Sequence, residues 1–211
     1  MDFRFRMIPI YLALDVSKGI APYADSLQTI LDLAFSSPLV EDNFAIGLVR
    51  FSRSAQIVAP LGHIAQLTMP ETFRGEESVD LSPVFRLVQS SIESDILRAR
   101  QTNTSVYRPT LFLVVSQWPK KEDWHHAYQA LMSQRWPPEI VVVDIGHCPM
   151  QPLQDIATRA VYRASDHAAV GLLIADYIAD AFRSRSGSDH RLRLATHIQG
   201  IKMLWTADGL A

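Results

Sequence analysis

The apolar positions of this chain repeat at two spacings, and the change from one spacing to the other predicts strands and helices in turn. Ile8, Ile10, Leu12 and Leu14 occupy every second position, which is the period of a strand. Between residues 24 and 35, apolar positions recur at steps of three and four, which is typical of a helix with one buried face. The same criteria predict strands at 7–14, 44–51, 55–61, 110–115, 139–145 and 160–163, and helices at 24–35, 79–98, 122–135, 153–158 and 168–182.

The connections between these elements predict how the strands are arranged. Residues 52–54 are too few for a helical crossover, so the strands on either side of them are expected to form an antiparallel hairpin. Residues 62–78 are a long, turn-rich connection, and most other connections contain a helix. Repeated helical crossovers with one hairpin predict a doubly wound α/β domain. Its sheet is expected to have six strands, mostly parallel with one antiparallel edge strand, and helices on both faces.

Composition limits the domain count and the class of protein. The 211 residues, 48% of them apolar, suffice for one sizeable core, so we expect one domain at 1–183 and a basic, apolar C-terminal extension at 184–211. The net charge of -2 gives no general attraction to nucleic acid or to a membrane. Cys148 is the only cysteine, which excludes an internal disulfide and fits a reducing compartment. The N-terminus lacks the apolar core of a signal peptide, so a cytoplasmic protein is expected.

Polar residues follow two of the predicted strands directly. Asp15 and Ser17 end the first strand, and Ser116 ends the strand at 110–115. The carboxyl ends of parallel strands open the crevice in which α/β proteins usually bind their ligands. The sequence therefore places a carboxylate and two hydroxyls at one crevice.

Three segments together resemble a von Willebrand factor type A (VWA) domain. They are Asp-Val-Ser-Lys-Gly at 15–19, the hairpin strand at 46–51, and Pro-Thr-Leu-Phe-Leu-Val-Val-Ser-Gln-Trp-Pro at 109–119. The resemblance covers residues 7–182 and is nearest to the small cytoplasmic bacterial members of the TerY-like kind. It implies a Rossmann-like fold and a non-catalytic role in binding another protein, in some cases within a bacterial multi-protein system.

The resemblance also implies a metal-ion-dependent adhesion site (MIDAS) that has lost ligands. In the family, a divalent cation is held by an Asp-x-Ser-x-Ser loop, a Thr from a second loop and an Asp from a third. Asp15 and Ser17 match the first loop, but Gly19 replaces its last Ser, Val79 lies near the Thr position, and Ser116 replaces the Asp.

Either Ser78 or Asp80 lies close enough to the second-loop position to supply an oxygen there. Since Mg²⁺ prefers about six hard oxygen ligands, Asp15, Ser17, Asp80 and Ser116 are interpreted as a vestigial ligand set. We expect no cofactor. Binding of another protein through Mg²⁺ or Mn²⁺, held by Asp15 and Ser17, is the alternative, and a third hypothesis is that the Lys18 ammonium replaces the missing cation over Asp15.

Candidate partner contacts lie at the crevice and in the extension. At the crevice they are Lys18, Gly19 and Trp118, since Trp is enriched at interfaces. In the extension they are Arg191, Arg193 and Trp205. The apolar positions of the extension fit either a strand or a helix, and we favour folding back onto the domain over a docking arm that orders on a partner. Arginines without an aromatic platform argue against nucleic acid.

A last hypothesis is an enzyme that uses Cys148, with His147 as its base. Adjacent residues generally point apart, and a lone buried Cys is usually a small apolar residue. The sequence also lacks a Gly-rich phosphate loop, a metal-binding His-Glu spacing and a Ser elbow. We therefore expect no catalytic activity.

Overall fold

The computed structural model describes residues 5–18, 21–36, 44–63, 78–120, 123–183 and 198–208. Gly19, Arg191 and Arg193 lie outside these ranges, as does nearly all of the predicted connection at 62–78. No helix in the described part of the chain is long and apolar enough to cross a membrane.

The described strands form one sheet of eight strands. They are β1 (Phe5–Asp15), β2 (Phe44–Phe51), β3 (Ala55–His63), β4 (Thr104–Val106), β5 (Thr110–Val115), β6 (Glu139–Asp144), β7 (Ala160–Ala164) and β8 (Ile201–Thr206). Their order across the sheet is β3-β2-β1-β5-β6-β7-β8, and β4 pairs with the start of β1. β3 and β8 run antiparallel at the two edges, and the other pairs are parallel.

Helices cover both faces of this sheet. They are α1 (Ala24–Ser36), α2 (Ser82–Gln101), α3 (His125–Ser133), α4 (Met150–Ile156) and α5 (His167–Arg183), with a short 3₁₀ helix at Ala21–Tyr23. Alternate side chains of β1 enter two cores: Ile10 and Leu12 pack with α1 and α5, whereas Tyr11 and Ala13 pack with α2, α3 and α4. β5 is buried along its whole length, because both of its faces are covered.

The two helices of the first face approach each other closely at a glycine. A Cβ added to Gly171 of α5 would lie 2.6 Å from the backbone of Ser26 in α1. Only a residue without a side chain allows this spacing. Gly171 thus allows the close approach of α5 to α1.

The α/β class with a mostly parallel sheet and helices on both faces is confirmed, but the predicted number of strands is wrong. In the described ranges the sheet has eight strands rather than six, and two antiparallel edges rather than one. β4, with three residues, is too short to show a period. The sequence does not distinguish a strand from a helix at β8, because positions 198, 201 and 205 also have helical spacing. Its pairing with β7 puts residues 201–206 of the extension in the same sheet as the domain.

Candidate functional site

The carboxylate of Asp15 is the centre of the crevice, and donors from the chain itself surround it. Its Oδ1 accepts a hydrogen bond from the Ser17 backbone N–H at 2.9 Å. Its Oδ2 accepts two, from the Ser116 N–H at 2.9 Å and from the Ser116 hydroxyl at 2.5 Å. Asp15 is only 2% exposed. The structure therefore brings together the three residues that the sequence placed at the ends of two strands.

The two serine hydroxyls also contact each other. Ser17 Oγ lies 3.3 Å from Ser116 Oγ, and both residues are buried. Tyr23, which the sequence did not single out, donates its hydroxyl proton to the Asp15 carbonyl oxygen at 2.9 Å. The carboxylate, both hydroxyls and the end of β1 thus form one continuous hydrogen-bonded cluster.

Asp80 forms its described hydrogen bonds with the end of β2 and the start of α2, not with Asp15. Its backbone N–H donates to the Ser52 carbonyl oxygen at 2.8 Å, which ties the second loop to the end of β2. Its Oδ1 accepts a hydrogen bond from the Ser82 N–H at 2.8 Å, at the first residue of α2. Among the described hydrogen bonds, none joins Asp80 to Asp15. Asp15 is therefore the one carboxylate seen in the hydrogen-bonded cluster of the described residues.

A buried ion pair supports the loop behind Ser116. Asp144 is fully buried, and its Oδ2 lies 2.9 Å from Arg163 Nε and 2.8 Å from Nη2. Its Oδ1 accepts from the backbone N–H groups of Gly146 at 3.0 Å and Cys148 at 3.1 Å. A Cβ on Gly146 would lie 1.6 Å from the Ser116 carbonyl oxygen, so this loop is packed directly against Ser116. The sequence analysis does not predict the Asp144–Arg163 ion pair. The position of Asp144 at the end of the strand beside β5 is the sequence signal that indicates a polar residue at this edge.

Cys148 does not have the surroundings of a nucleophile. Burial, followed by the charge of Asp144, raises the pKa of its thiol to about 12. A thiol with this pKa is protonated at neutral pH, and the thiolate is the reactive form. His147 is exposed and has a left-handed backbone conformation, with φ of 58°. Nothing in this arrangement favours the enzyme hypothesis.

Lys18 and Trp118 differ in exposure. Lys18 is exposed, and in the described part of the chain it forms no ion pair with Asp15. Trp118 is half-buried, and its ring and the Trp124 ring are nearly perpendicular at a centroid distance of 6.0 Å. Trp205 packs on the core at the same face of the sheet as Trp118. Of these three side chains, Lys18 is the most accessible to a partner.

Solved structures share this fold, whereas no family model and no curated protein matches the sequence. Proximal thread matrix protein 1 of the mussel byssus is 15% identical, with a TM-score of 0.61 over 83% of this chain and 48% of that chain. A von Willebrand factor type A protein from Catenulispora acidiphila is 10% identical, with a TM-score of 0.58 over 84% and 43%. VWA2, an ArnB paralog from Sulfolobus acidocaldarius, is 16% identical, with a TM-score of 0.51 over 81% and 44%.

These likenesses define the class of fold. The chain has the α/β fold of von Willebrand factor type A domains, and it spans less than half the length of the three structures. At 10–16% identity the likeness concerns the fold alone.

Proposed function

We propose that this chain is a non-catalytic protein-interaction domain, whose crevice binds another protein by direct contact and without a divalent cation. The observation that carries the proposal is the Asp15 carboxylate, which accepts three hydrogen bonds from Ser17 and Ser116. As part of the same proposal, the domain is a small cytoplasmic bacterial VWA domain of the TerY-like kind, and its partner is a component of a multi-protein system.

The energetics of the cluster support binding without metal. Mg²⁺ requires about six oxygen ligands in near-octahedral geometry and gives up water reluctantly. The described cluster offers one carboxylate and two hydroxyls, and the Ser116 hydroxyl already donates a hydrogen bond to Asp15. A cation bound to the carboxylate would have to displace that hydrogen bond, and a hydrogen bond to a charged group contributes about 1.5–3 kcal/mol. This donor set therefore fits Mg²⁺ and Mn²⁺ poorly.

The alternative, a Mg²⁺- or Mn²⁺-dependent interaction domain, has one observation in its favour. The hydroxyls of Ser17 and Ser116 converge beside the Asp15 carboxylate, as ligands of one ion would. Proximal thread matrix protein 1 has been solved with a zinc-occupied MIDAS motif, at a TM-score of 0.61 and 14% identity to this chain. Metal dependence therefore needs a direct test.

Titration calorimetry with MgCl₂ and MnCl₂ separates the two functions. We expect no binding heat with the wild-type chain or with Asp15→Ala. Ser116→Asp adds a second carboxylate, at the position where the resemblance implies an Asp ligand. We expect this variant to be destabilised in chelator, because its two carboxylates are adjacent, and to regain melting temperature when Mg²⁺ is added. Binding heat in the wild type that Asp15→Ala lacks would establish the metal-dependent alternative.

Affinity capture from the native host tests the interaction itself. Lys18→Glu reverses the charge of an exposed side chain at the crevice, and Arg6→Glu makes the same change near the other end of β1. We expect the proteins captured by the wild type in chelator to be lost with Lys18→Glu and retained with Arg6→Glu. Partners released by chelator, or captured equally by both variants, would contradict direct binding at the crevice.

A further inference from the structure

Two arginines share one aromatic ring at the edge of the sheet where the parallel strands begin. Arg100 lies in the last turn of α2 and Arg135 follows the end of α3, which packs against α2. Their Cζ atoms lie 5.1 Å and 4.8 Å from the centre of the Trp136 ring, within the range of a cation–π contact. Since both distances end at the same point, the two Cζ atoms are at most about 10 Å apart. We call Arg100, Arg135 and Trp136 the arginine patch.

The two charges of the arginine patch are not neutralised by the chain itself. Both arginines are exposed, and among the described residues neither side chain forms an ion pair or a hydrogen bond. The negative ends of α2 and α3 favour cations here, but each counts only about half an elementary charge. The nearby Arg108 lies 3.8 Å from the Glu139 carboxylate, so these two charges offset each other. The described surface therefore keeps a net positive charge at the patch.

An apolar side chain is exposed beside these charges. Leu97 is 51% exposed, more than any other large apolar side chain in the described ranges. It lies three residues before Arg100, so the two side chains occupy the same face of α2, one turn apart. Trp136 itself is half-buried and packs on the core, which holds the patch in place. Arg and Trp are enriched among the residues that contribute most to binding at protein interfaces.

From this arrangement we infer that the arginine patch binds an acidic, extended segment of another protein. Carboxylates two residues apart in an extended peptide lie on the same side of it, about 7 Å apart, which fits two guanidinium groups within reach of one ring. The fork of N–H groups on each guanidinium matches the geometry of a carboxylate, and an apolar residue of the segment covers Leu97. Nucleic acid fits less well, because the Trp136 ring already carries two guanidinium groups and a base would have to displace them to stack.

The arginine patch is separate from the crevice. Trp136 precedes the first residue of β6, Glu139, whereas Asp144 at the other end of β6 lies behind the crevice. The length of this strand is about 17 Å. Binding at the patch therefore goes beyond the proposed function, and neither depends on the other.

The test is a titration of the ¹⁵N-labelled full chain by NMR with the peptide Ac-Glu-Gly-Glu-Gly-Leu-NH₂. Its uncharged control has Gln in place of each Glu. We expect saturable shifts of the Trp136 indole N–H and of the Arg100 and Arg135 amides, with a dissociation constant on the order of millimolar and roughly tenfold weaker binding of the control. Equal shifts with both peptides, or no saturable shift with the acidic peptide, would overturn the inference.

Variants of the two arginines assign the contacts. Arg100→Gln and Arg135→Gln are each expected to weaken binding of the acidic peptide roughly threefold, since a single exposed ion pair is weak, and the double variant roughly tenfold. Arg53→Gln, at an exposed position of the β2–β3 turn, is the matched control and should bind as the wild type does. Unchanged binding in the folded double variant, or an equal loss with Arg53→Gln, would overturn the inference. The comparison of the two peptides on the wild type needs no variant to fold.

Three further arms separate the patch from other sites and other ligands. Lys18→Glu should bind the acidic peptide as the wild type does, and loss of binding in this variant would place the peptide at the crevice instead. Sodium acetate that binds as tightly as the peptide would show a site for simple anions. Single-stranded oligothymidine that shifts the same signals at lower concentration than the peptide would show a nucleic-acid site. Each of these three results would overturn the inference.

Discussion

Two buried serine hydroxyls, those of Ser116 and Ser91, differ in their hydrogen bonding, and this difference sets what each contributes to stability. Ser116 Oγ donates to the Asp15 carboxylate at 2.5 Å, whereas Ser91 Oγ has no partner. The two residues are equally buried, at 6% and 7% exposed. Burial alone therefore does not predict the effect of removing either hydroxyl.

We expect Ser116→Ala to lower the free energy of unfolding by about 1.5–3 kcal/mol, because it removes a hydrogen bond to a buried charge. The matched variant Ser91→Ala removes an unsatisfied hydroxyl from a helix and should be neutral or stabilising by up to about 1 kcal/mol. Urea denaturation of both variants measures the difference. Equal losses of stability in the two variants would show that the hydrogen bond from Ser116 to Asp15 does not add to the free energy of unfolding.

The sequence predicted that Asp15, Ser17 and Ser116 meet at the crevice, but not how they bond. It grouped Asp80 with them, whereas the Asp80 side chain bonds to the start of α2. Asp15, Ser17 and Ser116 were placed together because strand ends share one edge of the sheet. The hydrogen bonds of Tyr23 to Asp15 and of Tyr11 to Asp95 join residues 8 and 84 positions apart. No local spacing encodes such bonds, since they depend on how the helices pack on the sheet.

Among the elements, β8 changes the predicted architecture most. It pairs antiparallel with β7, so β7 is an inner strand whose backbone groups are covered on both sides. Trp205 and Leu204 of β8 are half-buried against the core that also contains α2 and α3. The strand therefore covers β7, and β8 itself is the edge of the described sheet on this side.

Trp205→Ala is expected to lower the free energy of unfolding by about 2 kcal/mol, roughly half the loss for a fully buried Trp. Lys202→Ala, at an exposed position of the same strand, should change it by less than about 0.5 kcal/mol. Thermal and urea unfolding of both variants provide the comparison. If Trp205→Ala were as stable as Lys202→Ala, Trp205 would be free to serve as the partner contact that its sequence position predicts.

At the scale of the whole molecule, His167 makes the free energy of unfolding depend on pH. This residue lies near the crevice. It begins α5, and its ring meets the Tyr23 ring at 4.6 Å, edge to face. Tyr23 in turn donates to the Asp15 carbonyl oxygen. Burial lowers the pKa of His167 below 6.5, and the Lys18 charge adds to this, while the charges of Asp166 and Asp15 oppose it.

Because the pKa of His167 is lower in the folded chain, the unfolded chain binds a proton more readily. The contribution of neutral His167 to the free energy of unfolding is therefore complete above pH 6.5. It is lost as the pH falls from 6.5 to the lower pKa that His167 has in the folded chain. We expect His167→Phe to lose less stability than the wild type between pH 7.5 and pH 5. His126→Gln, at an exposed position, should behave as the wild type does, and an unchanged pH profile in His167→Phe would contradict the linkage.

The sequence by itself determined the order of the helices and of six of the eight described strands, the hairpin, and the edge of the sheet at which the polar residues gather. It did so because apolar periods are local and because parallel strands share one carboxyl edge. The tertiary structure decided the rest: the Asp15–Ser116 bond, the Asp144–Arg163 pair and the place of β8 beside β7. Each of these joins segments far apart in the chain, and the register and packing that bring them together are properties of the whole fold.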